Sequence, residues 1–332
     1  LTIVQALVMV TGAVVVSSQT TSTRAANLLA SFIVIPMTLL IQAESAIMFL
    51  APDAESPSGI SSLWAIIVGM IVVTVLLLRV GNAVFNREEL LGRTIDEFNL
   101  KATFRNMGRW IRAVDDKGNP ARNLAQWYRQ GVFPAVRRLG PAAWIAIGVF
   151  VLTFLGGILV GQLPQWQMHL PQGSSMTSAA GFMKHLMNVP TQSGAWLAIV
   201  GQNGGILLAA FILSLFTFGT AALILTPAVY FILGYLFTQI IAAGYNPSFM
   251  LAAVLTHGII EIPVIVLAAA AALRMGAVVT KPPQGITVGQ AWSMTLGDTI
   301  KIALGLVIPG LLLAGFIEAF ITPQVVVKVL GG

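Results

Sequence analysis

Three ionisable residues stand in stretches where such groups are costly. His257 and Glu261 are four positions apart in Thr256-His257-Gly258-Ile259-Ile260-Glu261-Ile262-Pro263, and Glu318 lies in Gly315-Phe316-Ile317-Glu318-Ala319-Phe320. Their flanks are almost wholly apolar. A helix brings positions i and i+4 onto one face, so the imidazole can donate to the Glu261 carboxylate. A carboxylate at bilayer depth costs about 2.5–3.5 kcal/mol on insertion scales, and it therefore needs a partner or a proton. Asn203, in Gln202-Asn203-Gly204-Gly205, opens another apolar stretch and can hydrogen-bond across helices. Gly258 permits close approach of a neighbouring helix. Pro263 frees the carbonyl of Ile259 and is expected to kink its helix.

This intramembrane polar cluster admits several chemistries. One is a clasp between helices, each such bond contributing about 0.6 kcal/mol and at most about 2. Another is a proton or ion pathway through His257, Glu261 and Glu318. A metal site would need a third ligand beside the lone His-x-x-x-Glu, and His169 and His185 fall in an outer loop, so no metal is assigned. That loop also has Met168, Met176, Met183 and Met187, which would suit copper(I), but at irregular spacing. His-Glu-x-x-His, Gly-x-Ser-x-Gly and Walker A patterns are absent, so no catalytic residue and no cofactor is expected.

The elements that position these residues follow from composition. Of 332 residues, 57% are hydrophobic and only 9% are charged, against about 25% charged in a soluble domain. From Arg87 to Arg138 there are 11 basic and 6 acidic residues, so this stretch holds +5 of the net +6. A soluble enzyme, a nucleic-acid-binding domain and a disordered chain are excluded. An all-α polytopic membrane protein with one polar insert remains. Cysteine is absent, which removes disulfides and thiolate chemistry. The sequence opens at Leu1 in an apolar run, without the basic start and cleavage site of a signal peptide, and reads as a chain cut into from its N-terminal side.

A bilayer core of about 30 Å takes about 20 apolar residues per helix. That ruler gives eight spans: 3–17, 25–50, 63–85, 142–163, 204–225, 228–243, 249–273 and 300–321. The fifth and sixth are separated only by Thr226-Pro227. Basic residues alternate across the connections. Arg24, the cluster from Arg79 to Arg138, then Arg274, Lys281 and Lys301 fall on one side; 51–62, 164–193 and 244–248 carry only Lys184 among them. By the positive-inside rule residues 86–141 are cytoplasmic. The expected address is the cell membrane, the inner membrane of a bacterium or archaeon.

Within the insert, Leu91, Ile95, Phe98, Phe104, Met107, Ile111 and Val114 recur at three- and four-residue steps, predicting amphipathic helix across 86–114. Arg105, Arg109 and Arg112 flank Trp110, a pattern suited to the headgroup layer over anionic lipid. Lys117-Gly118-Asn119-Pro120 predicts a turn. A second helical stretch follows with Leu124, Trp127, Tyr128, Val132 and Phe133. The insert is either a linker hugging the membrane or a docking surface for a cytoplasmic subunit. Six carboxylates interleaved with the bases argue against nucleic acid.

Two resemblances follow from these motifs. Asn203, the glycine-dotted helices up to Gly234, His257-Gly258-Ile259-Ile260-Glu261-Ile262-Pro263, Arg274-Met275-Gly276 and the run from Leu313 to Pro323 resemble the stage II sporulation protein M family, whose signature is His-Gly-x-x-Glu before a small-residue helix. With 142–163 included, this half has the five spans expected of that family. Thr256 replaces a frequent proline, and residues 228–231 lack the usual Asn-Gly. Residues 1–95 are similar to the last third of type-2 ABC exporter permeases. The similarity lies in Val16-Ser17-Ser18, Ala25-Ala26-Asn27-Leu28-Leu29-Ala30-Ser31, Pro36-Met37 and Phe85-Asn86-Arg87-Glu88-Glu89-Leu90-Leu91.

The expected organisation is a permease-like segment 1–95, a basic linker 96–141 and a five-span domain 142–332. The resemblances imply either an export permease fused to the sporulation-M-like module and energised by a separate ATPase, or a non-transporting membrane scaffold acting in envelope remodelling. The partners implied are the lipid bilayer and that ATPase or other membrane proteins; a homo-oligomer is an open alternative.

Overall fold

The computed structural model describes residues 2–19, 107–115, 118–167, 192–244, 247–278, 283 and 288–329, and positions 64, 67, 68, 70, 71, 74, 75 and 78. The chain divides into two compact units. The first holds Leu1–Leu100, Phe216–Phe218 and Ala277–Trp292; the second holds Lys101–Leu215, Gly219–Gly276 and Ser293–Gly332. The described residues form helices and turns, with one isolated bridge between Ala113 and Pro120. The protein is an all-α, membrane-embedded, polytopic protein.

In the first unit, helix α1 spans Thr2–Gln19. Positions 64 to 78 of the expected third span are helical wherever they are described, and Met70 is buried there. The expected second span, 25–50, lies outside the described residues.

The second unit opens on the polar insert. Residues 107–112 are helical, and the helix ends there, two residues short of the predicted Val114. The reason is local: Val114 and Ala121 give their backbone N–H groups to Asn119 and Arg112, closing a tight loop. The Asp115 carboxylate accepts from both N–H groups of Asn119, and Gly118 turns at φ +81°. Gly118, Asn119 and Pro120 of the predicted turn lie in this loop, and Lys117 lies outside the described residues. Helix α2 follows, built from Leu124–Gln126, a π-helical stretch Trp127–Val132, and Phe133–Arg138. Asn123 caps its start through Gln126 N–H at 2.8 Å.

Five helices among the described residues are long and apolar enough to cross a membrane. They are α3 (Pro141–Gly161), α4 (Gln192–Phe216), α5 (Ala222–Ala242), α6 (Ser248–Ala277) and α7. Helix α7 starts at Val288–Ile302 and runs on unbroken to Thr322–Val329. At 1.5 Å per residue its 42 residues measure about 63 Å, twice a bilayer core. The predicted span 300–321 is therefore the middle of a longer rod.

The boundary between α4 and α5 differs from expectation. The two spans are separate, but the break is at 217–221 and not at Thr226-Pro227. Gly219 there has φ +90°, and a Cβ on it would sit 2.5 Å from the Leu273 carbonyl oxygen. Ser214 closes the turn, its hydroxyl accepting from Ala222 N–H at 3.0 Å. Pro227 lies inside α5, where the Thr226 hydroxyl donates to the Ala222 carbonyl at 2.6 Å.

Small residues decide the packing, as expected where lipid supplies no hydrophobic drive between helices. Ala269, Ala270, Ala271 and Ala272 of α6 are buried; Ala270 and Ala271 belong to one buried cluster with Ala135, Leu139, Ala146, Ile302 and Leu311, while Ala269 and Ala272 belong to another with Phe150 and Ala222. Helices α3 and α5 touch backbone to backbone: a Cβ on Gly157 would clash with the Phe231 carbonyl, and one on Gly234 with that of Phe154. The opposite faces stay apolar and open, Trp144 at 76% exposure and Ile259 at 74%, as suits contact with lipid.

Prolines shape α2 and α7. Each π-helical stretch ends two residues before a proline: Trp127–Val132 before Pro134, Ala303–Val307 before Pro309, Ile317–Ile321 before Pro323. In each case the residue just before the proline gives its N–H to the carbonyl five positions back. Proline lacks an N–H and crowds the carbonyl four residues earlier, so the turn ahead of it widens.

Candidate functional site

The widened turn Ile317–Ile321 carries Glu318, and it faces His257 and Glu261 of α6. His257 Nε2 lies 3.4 Å from Glu261 Oε2 and 3.9 Å from Glu318 Oε2. From α4, the Asn203 side-chain N–H donates to Glu261 Oε1 at 2.5 Å. On the far side of the imidazole, Nδ1 is 3.4 Å from the hydroxyl of buried Thr322. Three helices thus meet at one polar knot. The sequence spacing paired His257 with Glu261 and grouped Asn203 and Glu318 with them; the fold brings all four into contact and adds Thr322.

The knot borders a cavity of about 300 Å³. Asn203, His257, Gly258 and Glu261 line it, with Thr226 and Tyr230 of α5 as further polar groups. The remaining wall is aliphatic. Gly258 differs from expectation. A Cβ there would meet Ile262 and Val254 of its own helix, so the glycine leaves room at the cavity instead of admitting a neighbouring helix. Helix α6 runs on through Pro263 to Ala277 as one element.

The arrangement can accept, hold and pass a proton, since an imidazole stands between two carboxylates. It can also present one nitrogen and two carboxylate oxygens to a cation: the ligand atoms of His257, Glu261 and Glu318 all lie within 4.8 Å of one another. Glu318 of α7 is a candidate for the third ligand that the His-x-x-x-Glu spacing lacks.

A second charged group escaped the sequence reading. Asp298, buried in α7, is gripped by Arg138 from α2, with Nε at 2.8 Å and Nη2 at 2.6 Å on its two oxygens. Arg274 of α6 adds a contact at 3.1 Å and Lys301 another at 3.5 Å. The signal was available: Asp298 is one of three acidic residues after Arg138, and Lys301 is one helical turn on. The basic residues that the topology argument treated as orientation signals are here structural ligands of one carboxylate.

The insert residues stand apart from the cavity. Arg109 and Arg112 are exposed, donating to the carbonyls of Gly118 and Gly108. Trp110 is half-buried, with its backbone and Cβ against Gly297 of α7, so its helix packs on protein along that side. Arg105 lies outside the described residues. Trp127 donates to the Ile111 carbonyl at 2.8 Å, and the Tyr128 hydroxyl donates to the Gly305 carbonyl at 2.9 Å. The second unit thus includes residues 101–141 of the stretch expected to be a linker.

The family model for Stage II sporulation protein M matches residues 143–323. The chain belongs to that family. The matched stretch includes Asn203, His257, Glu261, Glu318 and Thr322, and also Arg274, Asp298 and Lys301. It starts after Arg138, so the buried Asp298 carboxylate of this sporulation-M protein draws one of its ion-pair partners from the preceding insert. Compared with curated proteins and with solved structures, the chain shows no significant match.

Proposed function

We propose that this chain is a non-catalytic subunit of a transport assembly in the cell membrane of a bacterium or archaeon. Its sporulation-M domain is joined to a permease-like segment and energised by a separate ATPase that docks on the cytoplasmic insert. One observation supports this reading above others: His257 and Glu261 of the polar knot line a cavity whose remaining wall is mostly aliphatic. Ionisable groups at that depth are costly to insert, and a cavity beside them is where a translocating solute or proton can interact. The permease-like motifs of residues 1–95 agree with it, as do the basic residues of 86–141 on the cytoplasmic side.

The scaffold reading draws on a different feature. Asn203 and His257 join α4, α6 and α7, and Trp196 donates to the Leu312 carbonyl at 3.0 Å, so the same residues also act as a clasp. A clasp organises a membrane complex for envelope remodelling without transport.

Affinity capture of the full chain from its native membranes separates the two. Stoichiometric recovery of an ATP-binding-cassette ATPase, with ATP hydrolysis by the captured complex, is the expected result. Recovery of cell-wall hydrolases with no ATPase would establish the scaffold and sink the transport reading.

A further inference from the structure

At the knot, outward-facing atoms are engaged and inward-facing atoms converge. Asn203 occupies Oε1 of Glu261 and leaves Oε2 toward the imidazole. With the proton on Nδ1, that N–H points at the Thr322 hydroxyl oxygen, and Nε2 keeps its lone pair facing the two carboxylates. This is the outer-shell support that metal-ligating histidines and carboxylates characteristically have. Ligands about 2.1 Å from a tetrahedral zinc ion stand about 3.4 Å from one another. The His257–Glu261 separation is 3.4 Å; the His257–Glu318 separation is 3.9 Å, and the widest of the set is under 4.8 Å. Glu318, one third exposed on its widened turn, has the freedom to close the remainder.

We propose that His257 Nε2, Glu261 Oε2 and Glu318 Oε2 form a binding site for a divalent transition-metal ion of the zinc class, with a further coordination position open to the cavity. One imidazole and two carboxylates suit such an ion; calcium and magnesium favour all-oxygen shells of six or more. A divalent cation also neutralises two carboxylates in the apolar phase, which the single imidazole does not. The site holds whether the assembly transports or only scaffolds.

The test uses the full chain, purified without a histidine tag, stripped with chelator and placed in lipid nanodiscs. One equivalent of Zn²⁺ binds, Co²⁺ gives the visible absorption of a low-coordinate ion, and Zn²⁺ displaces it. Glu318→Gln lowers zinc affinity by at least about 100-fold, and Asn203→Ala, which removes only outer-shell support, by about 10–100-fold. Circular dichroism and elution volume stay unchanged. Wild-type protein that gives no cobalt band overturns the proposal, and needs no variant to fold. So does wild-type zinc affinity in Glu318→Gln, or equal affinity for Mg²⁺.

Discussion

Asn203 and Glu261 are 58 positions apart in sequence and joined by one hydrogen bond between α4 and α6. The donor is neutral and holds one carboxylate oxygen, so the other is aimed rather than consumed. Asn203→Leu removes that donor and leaves Oε1 facing an aliphatic side chain. Thermal unfolding in detergent should register a loss of about 1 kcal/mol, within the range of measured interhelical bonds. A destabilisation below measurement error would show that α4 and α6 are held by packing alone.

Asp298 is the opposite case, a buried carboxylate under three cations. Asp298→Asn removes the negative charge that Arg138, Arg274 and buried Lys301 share. The expected cost is on the order of 3 kcal/mol, because breaking one partner of a buried pair leaves charge uncompensated. Proteolysis of the 101–140 insert in native membranes should accelerate, since the ion pair from Arg138 to α7 is then lost. Unchanged protease resistance would count against the role assigned to this cluster.

Two glycines, Gly157 of α3 and Gly205 of α4, should behave differently. Gly157→Ala puts a methyl group into the Phe231 backbone and should separate α3 from α5, with a loss of about 2 kcal/mol or more. Gly205→Ala meets nothing within 4 Å and removes a glycine from a helix, so it should be neutral or slightly stabilising. The pair is read by thermal stability in nanodiscs. Equal effects would refute the packing assignment.

Tyr128 and Pro309 are predicted to be coupled. Pro309 has no N–H for the Gly305 carbonyl, and the Tyr128 hydroxyl donates to it instead. Tyr128→Phe alone should cost about 1 kcal/mol. In a Pro309→Ala background the carbonyl regains a helical partner, and the same change should cost less. A double-mutant cycle with no coupling energy would dissociate the two residues.

Composition and charge placement determined the class of this protein. Sparse charge and long apolar runs leave a bilayer as the only solvent for most of the chain, and hydropathy is a local property that sums along a helix without knowledge of its neighbours. For the same reason five spans of the second unit were legible, as was the pairing of His257 with Glu261, which helical periodicity alone fixes. Helix ends were less so: Gly219 and Ser214, not Pro227, part α4 from α5, because a proline is tolerated inside a membrane helix while a Cβ at Gly219 would run into the Leu273 carbonyl.

Tertiary structure decided what the buried charges face. Glu318 reaches His257 across 61 residues of chain, and Arg138 reaches Asp298 across 160. No pattern in either neighbourhood specifies such a partner, because long-range contacts depend on which small residues let helices approach and on where prolines widen a turn. The His257 and Glu261 motif was therefore readable as a pair, and became a three-helix site only when α4 and α7 were packed against α6.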